Sequence, residues 1–255
     1  MPTTSLQRCV ASSLGVTSVL TPFIEELFAP ISALGSSPRV IAGMLGRAGV
    51  GRGSRVLDLA CGKGAVAVEI AARLGCRVMG IDACAGFIDA AKRLAAAHSV
   101  EERCVFRVGD VRNSHPGRRV DVAMMIGLDP FDSAAASLRR HVGGGGLYVL
   151  DDCVRMWNLE RSKKLGIEDV PTRGAAQAYF ESLGDEVVSC HVPPPSRVRR
   201  RNKVLYRRLS ESAASLGEQR PRLKGELRAF LDGLRKANKL LEGPLRGTVW
   251  LVRRG

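Results

Sequence analysis

The fold of this chain is decided by Val56-Leu57-Asp58-Leu59-Ala60-Cys61-Gly62-Lys63-Gly64, which is followed three residues later by the small residue Ala67. This stretch begins as an apolar strand, passes through the pattern Gly-x-Gly-x-x-Ala and enters a run with helical apolar spacing. The glycines permit a tight turn and a close approach of a ligand to the backbone, and the small third position lets the helix pack on the strand. The pattern is typical of a dinucleotide-binding turn, and by itself it suits NAD equally well.

Three acidic residues at predicted strand ends favour a different ligand. Asp58 lies four residues before Gly62, and next to a pyrophosphate it would meet a like charge at a cost of roughly 3 kcal/mol at ~5 Å with an effective dielectric near 20. Next to the ammonium of a methionine moiety, the interaction of Asp58 would be attractive instead. Asp82 can accept from ribose hydroxyls, and in Gly109-Asp110-Val111 the Asp110 carboxylate can accept from an adenine amino group. A sulfonium amino acid joined to adenosine satisfies all three acidic positions, whereas NAD does not.

These residues resemble the class I S-adenosylmethionine-dependent methyltransferases at Asp-x-Ala-Cys-Gly-x-Gly, at the aspartate that ends the second strand and at Gly-Asp-Val. The resemblance covers roughly residues 50–192 and continues more weakly to the last predicted strand. It implies that S-adenosyl-L-methionine is the cofactor. By this resemblance the methionine part is held by Asp58, Cys61, Gly62 and Gly64, the ribose by Asp82, and the adenine by Asp110 and Val111. The predicted cofactor site is completed by Ala60, Ala83 and Ile126.

The chain alternates between strand-like and helical stretches. Apolar, β-branched runs predict strands at Arg55–Leu59, Arg77–Ile81, Val105–Val108, Val120–Ile126 and Leu147–Leu150, with helices between them at Val66–Leu74 and Ala85–Ala97. Such alternation predicts a parallel sheet that is covered on both faces. Together with the resemblance, it predicts an α/β, Rossmann-like fold with seven mostly parallel strands, helices on both faces, an antiparallel last strand and a helical insertion before it.

We divide the chain into four segments. Residues 1–50 form an N-terminal helical segment with helices at Pro22–Leu34 and Pro38–Leu45, and residues 51–192 form the S-adenosylmethionine-binding domain. Residues 193–247 form a basic helical insertion or cap, in which a break at Pro193–Pro195 precedes helices over 203–216 and 222–242. Residues 248–255 form the closing strand. In small-molecule members of the family such an insertion tends to lie over the substrate pocket.

The positive charge of the chain is concentrated in its last quarter. The net charge is +14, and residues 197–255 hold 17 Lys and Arg against 5 Asp and Glu, whereas the first 196 residues hold 22 against 20. The densest run contains Arg197, Arg199, Arg200, Arg201, Lys203, Arg207 and Arg208. This run can be a solvated helix face, a site for an anionic small substrate or a contact for an RNA backbone. Aromatic residues for stacking bases are sparse here, which argues against sequence-specific RNA recognition.

The residues that would act on the methyl acceptor are less clearly marked. Asp129, Asp152 and His191 are catalytic candidates by location alone, and a base is needed only if the nucleophile must lose a proton. Asp129-Pro130-Phe131 invites comparison with the Asp-Pro-Pro-Tyr element of amino-directed nucleic-acid methyltransferases, but the second proline is absent and the aromatic residue falls one place early. The alternative is that Asp129-Pro130 begins a helix.

Several kinds of site and location are disfavoured. The seven cysteines form no Cys-x-x-Cys pair and have no histidine at ligand spacing, so we expect no metal site and mostly buried thiols, while their pairing stays open. No apolar run approaches the ~18–20 residues that span a bilayer, and the first 30 residues make a poor signal peptide, so we expect a cytoplasmic protein without membrane contact.

The sequence therefore predicts an S-adenosylmethionine-dependent methyltransferase that acts on a small molecule, with an anionic acceptor as one option. One alternative is an RNA methyltransferase that uses the basic last quarter to bind the phosphate backbone. A second alternative is a non-catalytic binding module that retains the cofactor fold.

Overall fold

A computed structural model describes residues 13–113, 117–127 and 131–255 of the chain. Its strands are β1 (Arg55–Leu59), β2 (Arg77–Asp82), β3 (Cys104–Val108), β4 (Val120–Ile126), β5 (Val142–Arg155), β6 (Glu186–His191) and β7 (Leu245–Arg253). They form one seven-stranded sheet in the order β3-β2-β1-β4-β5-β7-β6. Strands β1 to β5 pair in parallel, and β7 runs antiparallel to both β5 and β6. The predicted fold class is confirmed.

The helices are α1 (Ile24–Leu27), α2 (Pro38–Arg47), α3 (Ala65–Leu74), α4 (Ala85–Ala97), α5 (Phe131–Arg139), α6 (Leu159–Lys163), α7 (Arg173–Ser182), α8 (Pro195–Gln219) and α9 (Lys224–Glu242). Helices α8 and α9 lie between β6 and β7, where the insertion is predicted. The described helices include none that is both long and apolar enough to cross a membrane.

Two predicted helices have different bounds in the structure. The helix predicted at Pro22–Leu34 is reduced to a 3-10 turn at Thr21–Phe23 and the single turn α1, since Pro30 lacks an N–H and disfavours a helical conformation in the residue before it. The predicted break at Pro193–Pro195 ends sooner than expected, because Pro195 is the first residue of α8. The basic run from Arg197 therefore lies on a helix from its beginning.

Two strands are longer than predicted. β5 starts at Val142 rather than Leu147, because Gly143–Gly146 continue the strand although they carry no apolar pattern that would reveal it. β7 starts at Leu245 rather than Thr248, and Leu245 pairs with Arg155 at the far end of β5. The long β5–β7 ladder brings the end of the insertion back into the sheet.

Three apolar clusters hold these elements together. Two of them cover the two faces of the sheet. The third joins the N-terminal segment to the insertion, with Leu20 and Leu27 packed in one cluster with Leu209, Leu216 and Leu227. Burial of each such leucine contributes about 1.5–3 kcal/mol relative to an exposed one. Two segments that are far apart in sequence thus form one layer, which we call the roof (residues 13–37 with α8 and α9).

Candidate active site

The turn after β1 contains three residues in the left-handed region. Ala60, Gly62 and Gly64 have φ angles of 59°, 53° and 73°. A Cβ on Gly64 would lie 2.8 Å from the Cβ of Ala91 and 3.0 Å from the ring of Phe106. The structure therefore places Gly64 against α4 and β3 as a packing glycine, and not among the cavity-lining residues.

A cavity of about 960 Å³, which includes space open to solvent, lies at the carboxyl ends of β1, β2, β3 and β4. It brings together the other predicted cofactor residues, namely Asp58, Ala60, Cys61, Gly62, Asp82, Ala83, Asp110, Val111 and Ile126. These residues come from four separate strand ends, which is where ligands bind in open α/β sheets. We call this space the first cavity.

Asp58 is the most deeply buried charged residue of the first cavity. Its exposed fraction is 2%, and its Oδ2 has no hydrogen-bond partner among the described residues. Burial, and secondarily the nearby Asp82, raises the pKa of the Asp58 carboxyl well above its ordinary value. A buried acceptor without a donor is costly, so the site suits a ligand that brings a cationic donor. The ammonium of S-adenosyl-L-methionine meets that requirement.

Asp82 holds the turn as well as facing the cavity. Its Oδ2 accepts from the backbone N–H of Gly62 at 2.8 Å, and its Oδ1 accepts from the N–H of Cys84 at 2.9 Å. Burial raises the pKa of the Asp82 carboxyl, while these N–H donors act in the opposite direction. The carboxylate therefore ties the glycine turn to the start of α4, a structural role that the sequence does not indicate.

Asp110 lies at the adenine end of the predicted site and has a partner that the sequence did not reveal. Nη2 of Arg112 lies 2.7 Å from Oδ2 of Asp110, and Nε of Arg112 contacts both carboxylate oxygens. Hydrogen bonds from Arg112 hold the pKa of Asp110 below its ordinary value. Arg112 also lines the first cavity. No motif marks this arginine, since its role depends on the turn that folds it back.

The roof closes the first cavity on the side away from the sheet. Ser32–Ser36 line it, and a Cβ on Gly35 would clash with the Cγ2 of Ile126. Nζ of Lys63, in the glycine turn, donates to the carbonyls of Phe28 and Ala29 at 2.7 and 3.0 Å. These contacts join residues more than 30 positions apart, so sequence spacing gives no sign of them.

A second cavity, of about 1620 Å³ and partly open to solvent, lies beneath α8 and α9. It shares four lining residues with the first cavity: Ser13, Leu14, Leu34 and Ser36. The predicted candidate His191 lines this second cavity. The two cavities therefore adjoin along the N-terminal part of the roof.

Of the other two catalytic candidates, the structure describes only Asp152. Asp129 lies outside the described residues, as does the predicted helix start at Asp129-Pro130. Asp152 lines neither cavity, and its carboxylate accepts from the backbone N–H of Phe131 at 3.0 Å and of Cys153 at 2.6 Å. Asp152 thus fixes the start of α5 instead of facing a substrate.

Its neighbour Asp151 lies close to the boundary between the cavities and is not among the predicted catalytic candidates. Oδ2 of Asp151 accepts from both the N–H and the hydroxyl of Ser36, and the charge of Arg201 acts on the same carboxylate. Burial raises the pKa of Asp151, while Ser36, Gly127 and Arg201 act to lower it. Of the two adjacent acidic residues in β5, this one contacts the roof.

The position of Phe131 argues against a role like that of the aromatic residue in amino-directed nucleic-acid methyltransferases. It is buried, with ring centroids 4.7 Å from Phe180, 5.4 Å from Tyr179 and 6.3 Å from Trp250. An aromatic side chain that packs inside a core cluster is not available to stack on a flipped base.

The six described cysteines are all unpaired. They are Cys61, Cys76, Cys84, Cys104, Cys153 and Cys190, of which the first, second and fourth are buried. Across residues 13–113, 117–127 and 131–255, no group of His, Cys, Asp and Glu side chains is arranged to hold a metal ion.

Comparisons with known proteins agree with this geometry. Residues 56–146 match the family described as a methyltransferase domain. A methyltransferase from Thiobacillus denitrificans, solved with S-adenosyl-L-homocysteine, is 20% identical, with a TM-score of 0.76 and coverage of 94% of this chain and 99% of that chain. A methyltransferase from Geobacter sulfurreducens, solved with the same compound, is 19% identical, with a TM-score of 0.72 and coverage of 97% and 98%. YjhP from E. coli is 22% identical, with a TM-score of 0.72 and coverage of 97% and 100%.

A search of curated protein sequences finds no significant match. The domain match includes the glycine turn, Asp82 and Asp110, which line the first cavity, and the sheet order is that of the solved methyltransferases. Residues 56–146 therefore match a methyltransferase domain, and the chain has the fold of the solved S-adenosylmethionine-dependent methyltransferases.

Proposed function

We propose that the protein transfers a methyl group from S-adenosyl-L-methionine, bound in the first cavity, to a small anionic acceptor bound in the second. The observation that supports this proposal is the shared wall of the two cavities, to which Leu34 and Ser36 both contribute. An acceptor in the second cavity would lie next to the cofactor and beneath the roof, away from bulk water.

Different residues of the first cavity would bind different parts of the cofactor. Asp58 would hold the ammonium, since its buried Oδ2 has no donor among the described residues. Asp82 would accept from the ribose, and Asp110 and Val111 would contact the adenine. The bound cofactor would supply an electrophilic methyl group on a sulfonium.

Methyl transfer from a sulfonium is an in-line displacement, so positioning of the acceptor can supply most of the rate. The residues of the roof would do this, because Ser36 is held at the shared wall by Asp151. The anionic character of the acceptor is proposed from the positive charges of Arg197 and Arg201, which line the second cavity next to His191.

The first experiment is a titration of the protein with S-adenosyl-L-homocysteine and with NAD by calorimetry. We expect one site per chain for the sulfur compound and no binding of NAD. A screen with radiolabelled methyl donor would then offer small carboxylates, phosphates, phenols and amines, and RNA in a separate arm. Folded protein that gives no heat with S-adenosyl-L-homocysteine would remove the basis of the proposal.

An RNA methyltransferase is the second candidate, and one observation favours it. Arg199, Arg200, Lys203 and Arg207 are exposed on α8 and do not line the second cavity. Such a row can contact phosphates without base recognition. The salt dependence of RNA binding separates this candidate from the first.

A further inference from the structure

The second cavity has an apolar wall on α9 that the rest of the protein covers only in part. Phe230, Leu234, Ala237 and Leu241 recur at helical spacing on α9 and all line the cavity. Leu234 and Leu241 are half-buried. Across the cavity lie further apolar side chains, namely Val40, Val198, Leu205 and Val249. A ligand that covers this wall would remove apolar surface from water, at about 25 cal/mol per Å².

One part of the same cavity is positively charged. Arg197 and Arg201 are four residues apart on α8, so they lie on one face of the helix, and His191 lines the cavity with them. Desolvation, and secondarily the charges of Arg197 and Arg47, lower the pKa of His191. An arginine in a largely apolar cavity favours an anionic group that it can bind through two parallel hydrogen bonds.

The side chains of Arg197 and Arg201 differ in the contacts that they form. Nη2 of Arg201 donates to the carbonyl of Gly35, and the carboxylate of Asp151 acts on its charge. The backbone N–H of Arg197 donates to the carbonyl of Pro194, but its guanidinium forms no ion pair or hydrogen bond with the residues that the structure describes. Its positive charge is therefore available to a ligand.

We propose that the second cavity binds an amphipathic anion whose carboxylate or phosphate group pairs with Arg197 and whose apolar body lies along α9. This inference rests on the proposed function, in which that ligand is the methyl acceptor. Arg201, which lies one helical turn from Arg197, donates to the carbonyl of Gly35, and Gly35 lines the first cavity, so the charged end is placed toward that cavity. The methylated atom is therefore close to the anionic group and not at the far end of the apolar body.

The test uses decanoate, decyl phosphate and the uncharged decanol as probes, below their micelle-forming concentrations, with the full-length protein saturated with S-adenosyl-L-homocysteine. Calorimetry should show that at least one anion binds about tenfold or more tightly than decanol, the scale of a hydrogen bond to a charged group. Comparison of the two anions identifies the head group that is preferred.

Three variants locate the binding site. Arg197→Gln should weaken the preferred anion about tenfold and leave decanol unchanged. Leu234→Gln should weaken both probes, because it places an amide in the apolar wall. Arg200→Gln is the matched control, since Arg200 is an exposed arginine of the same helix that does not line the cavity, and it should leave all affinities unchanged.

Equal affinity for decanol and both anions would overturn the inference, and so would equal losses in Arg197→Gln and Arg200→Gln. Binding of S-adenosyl-L-homocysteine without binding of either anion would overturn this inference alone. Absence of S-adenosyl-L-homocysteine binding would instead contradict the proposed function.

Discussion

Ser36 donates two hydrogen bonds to the same carboxylate oxygen of Asp151, one from its backbone N–H at 3.1 Å and one from its hydroxyl. The two residues are 115 positions apart in the sequence. The pair connects the roof to β5 at the wall that the two cavities share. It is therefore one of the contacts, together with that of Lys63 to Phe28 and Ala29, that position the N-terminal segment over the site.

Replacement of Asp151 should loosen that segment. Asp151→Ala leaves both donors of Ser36 without their acceptor, so we expect a loss of about 1–3 kcal/mol in the free energy of unfolding. Ser36→Ala removes only the hydroxyl and should cost less. Urea denaturation measures both losses, and amide hydrogen exchange at Ser36 should be faster in Asp151→Ala. Equal stability of Asp151→Ala and the wild type would show that the pair does not hold the roof.

The two glycines of the turn should respond differently to alanine. Both have positive φ, so both substitutions introduce backbone strain. At Gly64 the new Cβ would also lie 2.8 Å from the Cβ of Ala91, whereas at Gly62 the nearest atom is the Cδ1 of Leu34 at 3.3 Å.

We therefore expect Gly64→Ala to lower the unfolding temperature more than Gly62→Ala does. Gly62→Val should abolish binding of S-adenosyl-L-homocysteine, because its bulk enters the first cavity. Thermal melts and calorimetry separate the two effects. A greater loss of stability in Gly62→Ala would contradict the assignment of Gly64 to packing.

Asp58 should destabilise the unliganded protein and strengthen cofactor binding, and both effects should depend on pH. Since the folded-state pKa is raised, the fold favours the protonated carboxyl, and this stabilisation is lost as the pH rises through that pKa. In the absence of ligand, Asp58→Asn should thus be more stable than wild type at pH 8, by about 1.4 kcal/mol or more. The difference should vanish at low pH.

The ligand reverses this preference, because an ammonium requires the ionised carboxylate. Binding of S-adenosyl-L-homocysteine to the wild type should weaken as the pH falls through the pKa of Asp58, and should release protons, which calorimetry in buffers of different ionisation enthalpy detects. Asp58→Asn should bind weakly at every pH. An unchanged affinity in Asp58→Asn would place the ammonium elsewhere.

Asp82→Ala should weaken both the cofactor and the fold. The loss of a hydrogen bond to a charged group would lower the affinity for S-adenosyl-L-homocysteine by about 1.5–3 kcal/mol. The backbone N–H groups of Gly62 and Cys84 would also lose their acceptor, so the free energy of unfolding should fall as well. Calorimetry and urea denaturation measure the two losses. If Asp82→Ala is as stable as the wild type but binds S-adenosyl-L-homocysteine weakly, Asp82 acts only in ligand binding.

The salt dependence of RNA binding tests whether the exposed basic residues of α8 (Arg199, Arg200, Lys203 and Arg207) bind an RNA backbone. Five phosphate contacts would give a slope of log affinity against log salt of about −4.5 on a duplex and about −3.5 on a single strand. We expect weak binding and a slope nearer −1 or −2. The measurement is fluorescence anisotropy with RNA between about 50 and 300 mM salt, a range over which contacts of this kind lose most of their affinity.

The matched variant replaces Arg199, Arg200 and Lys203 together by Ser and leaves the cavity residues Arg197 and Arg201 intact. Submicromolar RNA affinity with a steep slope that this triple variant abolishes would favour the RNA methyltransferase over a small-molecule enzyme.

The sequence by itself determined the sheet and the first cavity. Strand ends in a parallel sheet meet at one edge, so three acidic residues and a glycine turn at strand ends predict a common site without knowledge of any contact. Asp58, Asp82 and Asp110 do line one cavity. Local spacing and strand order are sufficient for this part of the site.

The tertiary structure alone decided how the roof and the second cavity are built. Residues 13–37 pack against α8 and α9 through apolar side chains whose pattern specifies burial but not a partner. Asp151 and Asp152 are adjacent and chemically identical, and because successive residues of a strand point to opposite faces, one contacts Ser36 and the other the start of α5. Likewise, helix geometry turns Arg197 and Arg201 into the cavity and Arg199 and Arg200 away from it. These distinctions follow from how elements that are distant in the chain face one another, which sequence spacing does not encode.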